Sequence, residues 1–143
     1  MISDELLALC ADAARKACKA AYCPYSKFPV GAAVLAEDGR IFSGCNVENA
    51  SYGMTMCAER SAVFQAIANG LKRVIAVIIY TPTAEPTAPC GGCRQVIYEF
   101  GRDAEIVSLC ESSEVRRWLL STLLADAFEL GNFIPQTAQD KGA

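Results

Sequence analysis

The chain has 143 residues and a net charge of −3, and 52% of its residues are hydrophobic. This size and composition predict a single domain spanning residues 1–143 and exclude a disordered or collagen-like chain. The absence of histidine excludes a histidine-based triad, a histidine general base and a histidine metal ligand.

The spacing of apolar residues predicts alternating helices and strands along the chain. A Ser3-Asp4-Glu5 start followed by apolar residues every three or four positions predicts the first helix. An Asp38-Gly39 turn between two apolar runs predicts a hairpin. The predicted helices are residues 4–20, 57–69 and 90–100, and the predicted strands are residues 30–36, 41–46, 74–80 and 105–109.

Residues 114–128 are ambiguous, because their periodicity alone favours a helix. The order of the other elements predicts an α/β sandwich with helices on both faces of a mixed sheet. We expect a flexible tail from about residue 135 to residue 143, because this end of the chain is polar.

Three cysteines are predicted to stand at the beginnings of two helices. Cys57 opens one helix, while Cys90 and Cys93 open another with a two-residue gap that suits a shared metal ion. Free N–H groups and the helix dipole stabilise thiolates at such positions. Three protein ligands leave one position of a tetrahedral zinc site open, which is typical of catalytic zinc.

Two charged residues follow Cys57 closely. Glu59 is placed to reach water or substrate beside the metal, where a carboxylate can act as general base and proton shuttle. Three thiolates around Zn²⁺ carry excess negative charge, and we expect Arg60 to offset it by donating hydrogen bonds to the sulfurs.

The cysteine pattern also allows two other interpretations. Cys90 and Cys93 could form a redox pair with a reversible disulfide and no metal. They could instead be half of a structural zinc site with a fourth cysteine ligand, such as Cys45 or Cys110, and no role for Glu59. The five cysteines outside the motifs are interpreted as packing residues: Cys10, Cys18, Cys23, Cys45 and Cys110.

Four segments together resemble the cytidine deaminase family, in the branch whose zinc ligands are all cysteines. They run in the family's order and spacing, and the resemblance covers about residues 5–130. The segments are Phe28-Pro29-Val30-Gly31-Ala32, Asn46-Val47-Glu48-Asn49-Ala50-Ser51-Tyr52, Cys57-Ala58-Glu59-Arg60 and Pro89-Cys90-Gly91-Gly92-Cys93-Arg94-Gln95.

The resemblance implies a three-layer α-β-α sandwich around a mixed five-stranded sheet. It places a fifth strand at about residues 115–119, followed by a short helical turn. For residues 114–128 we therefore expect this strand rather than the helix that periodicity favours.

The resemblance also implies a reaction. Cys57, Cys90 and Cys93 would hold one Zn²⁺ per subunit, and Glu59 would pass a proton from the attacking water to N3 of cytosine. Attack at C4 would release ammonia and convert cytidine or 2′-deoxycytidine into the uracil nucleoside. This reaction belongs to pyrimidine salvage.

Further residues resemble the family's substrate contacts. Asn46 and Glu48 resemble the sugar-binding pair, and Phe28 resembles the aromatic residue that lines the base pocket. Backbone groups at Ala58 and Cys90 would hydrogen-bond the pyrimidine edge.

The resemblance implies a homotetramer whose sites are completed by neighbouring subunits. Tyr52 and Phe133 resemble the residues that reach a neighbour's site. Because the first residues give no signal-peptide pattern and no long apolar run follows, we expect a cytoplasmic protein without a membrane partner. The acidic balance also argues against a nucleic-acid partner, so the expected partner is a small nucleoside.

Related deaminases of another cytosine compound, such as blasticidin-type or free-cytosine deaminases, are the nearest alternatives. The Asn46-Val47-Glu48-Asn49 segment favours a nucleoside, because it supplies groups for a sugar. Editing of polynucleotides is disfavoured by the net negative charge.

Overall fold

The computed structural model describes residues 1–132, where five strands, four helices and two short 3₁₀ turns follow one another. Within these residues, no helix combines the length and apolar character needed to cross a membrane. Phe133 and the tail expected from about residue 135 lie outside the described residues. The helices are α1 (Asp4–Cys18), α2 (Ala58–Ala68), α3 (Gly91–Phe100) and α4 (Leu120–Leu123); the strands are β1 (Gly31–Ala36), β2 (Ile41–Cys45), β3 (Val74–Tyr80), β4 (Glu105–Leu109) and β5 (Val115–Leu119); the 3₁₀ turns are Tyr52–Met54 and Leu130–Asn132.

The predicted elements are confirmed, with differences of one or two residues at their ends. β3 and β4 have the predicted bounds. α1 ends at Cys18 rather than at residue 20, because the N–H groups of Ala20 and Ala21 bond three residues back and close turns instead of continuing the helix. Cys57 and Cys90 lie one residue before their helices, as N-caps.

The helix that periodicity favours in residues 114–128 is wrong for residues 115–119. These residues form β5, which pairs antiparallel with β4 from Val115 opposite Leu109 to Leu119 opposite Glu105. Trp118 packs against the main core from this strand. Pairing with a neighbouring strand outweighs local periodicity here, and the strand and the following short helix agree with the family resemblance.

The sheet is mixed and has the strand order β2-β1-β3-β4-β5. β3 and β4 are parallel, and the other three neighbouring pairs are antiparallel. A parallel pair requires a crossover, which here contains α3. The segment after β3 therefore begins at the C-terminal end of that strand and places Cys90 at the beginning of α3.

β1 shows how both faces of the sheet are covered. All six of its residues are buried, because alternate side chains meet different helices. Ala32 and Val34 belong to the core beneath α2 and α3, while Ala33 and Leu35 belong to a second core beneath α1. This arrangement confirms the three-layer α-β-α sandwich.

A close approach between β2 and α2 sets the depth of α2 on the sheet. A Cβ atom at Gly44 would lie 2.5 Å from the backbone nitrogen of Ala62. Since a helix backbone cannot give way as a flexible side chain can, glycine allows this approach. The same contact fixes the position of the first turn of α2, which carries Glu59 and Arg60.

Candidate metal centre and its pocket

The first turns of α2 and α3 converge on one point beside the sheet. Cys57 and Cys90 have the extended backbone conformation of N-cap residues, and the helices begin immediately after them. The Cys93 N–H donates to Cys90 Sγ, with an N-to-S distance of 3.4 Å. The Cys57 side chain makes no such cap bond, but Cys57 and Cys90 each lie at the end of a helix where the dipole favours negative charge.

The sulfurs of Cys57, Cys90 and Cys93 lie within 4.8 Å of one another. Cys57 Sγ and Cys90 Sγ are 3.9 Å apart. Tetrahedral zinc with bonds of about 2.3 Å separates two sulfur ligands by about 3.8 Å, so the arrangement fits this ion. Among residues 1–132 no fourth histidine, cysteine or carboxylate ligand joins the cluster.

The pKa values of Cys57 and Cys93 are shifted in opposite directions. A hydrogen bond from the Cys93 thiol, together with one from Arg60, lowers the pKa of Cys57 to about 5 although burial opposes this shift. The bond to Cys57 and burial raise the pKa of Cys93. The cluster therefore holds thiolate at Cys57 at neutral pH, which prepares it to bind a cation.

Arg60 supplies the positive charge next to the sulfurs. Its Nη2 lies 3.2 Å from Cys57 Sγ. Its Nε is buried and has no hydrogen-bond partner within the described part of the chain. Three thiolates around one divalent ion leave excess negative charge, so such a site needs additional positive charge. The Arg60 Nε beside the sulfurs, unpaired among the described residues, fits a site of this kind.

Glu59 is the acidic group of the site. Its residue is only 5% exposed, and it lines the cavity together with Cys57 and Cys90. Burial raises the pKa of Glu59, and the charge of Cys57 contributes to the rise. A carboxylate whose pKa is raised by burial is a stronger proton acceptor than an exposed one, which suits a group that takes up a proton and returns it.

A cavity of about 410 Å³ opens above the sulfurs. Mostly apolar walls and a few polar groups are typical of a small-molecule site. Thr55, Thr87 and Ile79 also line it, and the sequence does not mark them, because isolated threonines and isoleucines carry no motif. The lining residues are Ser26, Phe28, Val30, Asn46, Glu48, Thr55, Met56, Cys57, Ala58, Glu59, Ile79, Thr87, Ala88 and Cys90.

Asn46 and Glu48 both point towards residues 25–30, which form one wall of the cavity. The Asn46 amide donates to the Phe28 carbonyl and accepts from the Val30 N–H, each at 2.8 Å. The Glu48 carboxylate accepts the N–H groups of Tyr25 and Ser26 at 2.9–3.3 Å. Hydrogen bonding from Ser26 also lowers the pKa of Glu48, so this side chain is ionised at neutral pH.

The predicted aromatic contacts separate into two groups. Phe28 lines the cavity and remains 37% exposed. Tyr52 is 75% exposed, does not line this cavity, and packs edge-on against Tyr25 with ring centroids 5.8 Å apart. Phe133 lies outside the described residues.

The other five cysteines are not part of the metal cluster. Cys10, Cys18 and Cys110 are buried, and Cys23 and Cys45 are partly buried. Burial raises the pKa of Cys10 to about 11, as expected for a thiol in the core beneath α1. Cys45 and Cys110 do not complete a four-cysteine site with the three clustered sulfurs.

Comparisons with known proteins point to one family. The family model for the cytidine and deoxycytidylate deaminase zinc-binding region matches residues 5–110. A cytidine deaminase of Sporosarcina psychrophila is 48% identical over 115 residues, covering 80% of this chain and 85% of that protein. A probable cytidine deaminase of Dictyostelium discoideum is 38% identical over 141 residues, covering 98% of this chain and 95% of that protein.

A solved structure shows the same architecture. The crystal structure of cytidine deaminase from Burkholderia pseudomallei superposes with a TM-score of 0.81 at 44% sequence identity. The match covers 89% of this chain and 100% of that one.

Cys90→Ala should lower zinc affinity more than about 100-fold, since loss even of outer-shell partners costs 10–100-fold. The variant should also be less stable, because metal binding is coupled to folding. Zinc per chain, measured by mass spectrometry after dialysis against a chelator, tests this expectation. Cys23→Ala, outside the cluster, is the control that should retain zinc. Equal zinc in both variants would contradict the ligand role of Cys90.

Proposed function

This chain belongs to the cytidine and deoxycytidylate deaminase family, and we propose that it hydrolyses cytidine and 2′-deoxycytidine to uridine and 2′-deoxyuridine, releasing ammonia. The observation that carries the proposal is the cluster of three sulfurs beside a buried glutamate in a cavity of about 410 Å³. We place the reaction in pyrimidine salvage in the cytoplasm, where thiolate ligands stay reduced.

Cys57, Cys90 and Cys93 would hold one zinc ion per chain. When bound, zinc supplies Lewis-acid chemistry that makes water a nucleophile at neutral pH. Arg60 would balance the charge of the three thiolates, since it already donates to Cys57. The convergence of two helix N-termini adds favourable potential at the same point.

Glu59 would carry the proton through the reaction. Its carboxylate takes a proton from the attacking water and delivers it to N3 of the cytosine ring while oxygen adds to C4. A second transfer, of the proton of the new C4 hydroxyl to N4, allows the C4–N4 bond to break, so that ammonia leaves and the C4 carbonyl of uridine remains. The buried position of Glu59 suits both steps, because burial brings the protonated and ionised forms closer in free energy.

The walls of the cavity would hold the base. Ala58 and Cys90 line the cavity at the beginnings of α2 and α3, where backbone N–H groups are free of helical partners. These N–H groups can bond the polar edge of the pyrimidine. Phe28 offers a ring for apolar contact with the base.

Asn46 and Glu48 would bind the sugar. Both side chains line the cavity, and each keeps hydrogen-bonding capacity beyond its bonds to residues 25–30. An amide and an ionised carboxylate suit a ribose hydroxyl, which donates and accepts. The pair would therefore shape the pocket wall and contact the substrate.

We also propose a homotetramer with sites completed by neighbouring chains. Exposed aromatic and apolar side chains on the segments that contribute to the cavity supply the surface for this interface, because exposed apolar side chains that cluster often mark a contact with another chain. Tyr52 and Phe133 would reach the neighbour's site. The exposed residues of this surface are Tyr22, Tyr25, Phe28, Val47, Tyr52 and Met54.

Glu59→Gln should keep the zinc and the fold but lower kcat about 10²–10⁴-fold, because it removes the proton shuttle. Loss of ultraviolet absorbance of cytidine measures turnover, and zinc content is measured on the same preparation. Glu99→Gln, an exposed glutamate of α3, is the matched control. Turnover of Glu59→Gln at the wild-type rate would refute the role of Glu59.

Free cytosine should be at least about 100-fold poorer in kcat/KM than cytidine, because it lacks the hydroxyls that Asn46 and Glu48 would bind. Parallel assays with cytidine, 2′-deoxycytidine and cytosine measure this ratio, with a strong chelator as the negative control. Comparable turnover of free cytosine would remove the argument for a sugar site.

The zinc-loaded protein should sediment with four times the 15.3 kDa mass of one chain. Sedimentation equilibrium at the concentration used for activity measures the assembly. An active monomer at that concentration would rule out sites that need a neighbouring chain.

A further inference from the structure

Arg94 joins two carbonyl groups that lie far apart in the sequence. Its Nε donates to the Pro89 carbonyl and its Nη1 donates to the Leu123 carbonyl, each at 2.9 Å. Among residues 1–132 no carboxylate lies within ion-pair distance of this partly buried guanidinium. Its planar fork serves to hold two backbone segments in a fixed relation.

The Pro89 carbonyl belongs to the same peptide unit as the Cys90 N–H. The chain has no cis peptide bonds among its described residues, so this C=O and N–H point in opposite directions from one plane. Pro89 is fully buried, and its ring restricts the backbone further. A donor fixed on the carbonyl side therefore fixes the direction of the Cys90 N–H on the other side.

The charge of Arg94 also affects the strength of that N–H as a donor. A hydrogen bond from a charged group is stronger than a neutral one. It polarises the peptide unit, and hydrogen bonds in a chain strengthen one another. Cys90 lines the cavity, so the polarised amide belongs to a residue of the proposed substrate pocket.

The Nη1 group of Arg94 binds the C-terminal part of the described chain. Leu123 is the last residue of α4, and the segment beyond it is held by α3 as well. Gln95 donates to the Phe128 carbonyl at 3.0 Å, and the Tyr98 hydroxyl bonds the Glu129 carboxylate at 2.7 Å. Arg94 extends this set of contacts to the loop that carries Cys90.

We propose that Arg94 is a positioning residue that sets the direction and donor strength of the Cys90 N–H towards the pyrimidine ring. The inference rests on the proposed deaminase function, because that function places a pyrimidine in the cavity. Arg94 acts through the Pro89–Cys90 peptide and does not touch the substrate.

A single nuclear magnetic resonance signal can report on this peptide. Cys90 is the only cysteine preceded by proline in the chain. Zinc-loaded protein labelled with carbonyl ¹³C in proline and ¹⁵N in cysteine therefore gives one cross-peak in an experiment that correlates an amide with the preceding carbonyl. Arg94→Met removes the Nε and Nη1 donors. The peak should therefore move upfield in both the carbonyl ¹³C and the amide ¹⁵N dimension.

Arg102→Met is the matched control. Arg102 contacts the same C-terminal segment through Glu129, at 3.1 Å, and has no bond to Pro89. The Pro89–Cys90 peak should stay in place in this variant. Arg94→Lys provides a second test should Arg94→Met fold poorly, and its peak should move in the same direction by a smaller amount, because one ammonium cannot reproduce the fork.

Kinetics separate positioning from a general structural effect. KM for cytidine should rise about tenfold in Arg94→Met, with kcat within about twofold of wild type and zinc retained, because the Cys90 N–H binds the base in substrate and transition state alike. An unmoved peak, an unchanged KM, or a fall in kcat with zinc loss would overturn the proposal.

An inactive wild-type protein would contradict the proposed function but would leave this test usable. The Pro89–Cys90 peak would then be followed during titration with cytidine in wild type and in Arg94→Met. A shift that is large in wild type and reduced in the variant would support the role of Arg94. A peak that does not respond to cytidine would overturn it.

Discussion

The convergence of two helix N-termini, each capped by a cysteine, is the interaction on which the site depends. It brings three sulfurs within 4.8 Å although they come from segments more than thirty residues apart. Mutual repulsion of thiolates opposes this arrangement, so it needs positive potential from the helix ends and a cation between the sulfurs. The fold supplies the first of these, and the divalent ion proposed above would supply the second.

The sheet keeps these helix ends in register. α2 lies against β2 at a depth that Gly44 permits, and α3 begins after the loop that leaves β3. Burial of α2 also carries Glu59 into the protein, where water is scarce. The same packing thus creates the cluster of three sulfurs and raises the pKa of the carboxylate beside it.

Polar side chains in and beside the cavity hold its backbone by hydrogen bonds. Asn46 and Glu48 hold residues 25–30, and Arg94 holds the Pro89–Cys90 peptide. Groups proposed to meet the substrate are therefore fixed by charged or amide partners rather than by loop conformation alone. Such preorganisation keeps donors in place without an entropic cost during binding.

The sequence by itself determined the order of elements and singled out the three cysteines, Glu59 and Arg60 as candidates, because short motifs at helix starts and runs of apolar residues depend on local chemistry. It also indicated the family through four ordered segments. Local periodicity could not show that residues 115–119 form a strand, since their partner is β4; the family resemblance indicated the strand, and the tertiary structure confirmed it. Only the tertiary structure decided that Asn46 and Glu48 bond residues 25–30 and that Arg94 links Pro89 to Leu123. The contacts of Asn46, Glu48 and Leu123 join residues 16 to 29 positions apart, and the Arg94–Pro89 bond turns a side chain back on its own loop. Spacing along the chain carries no information about such contacts.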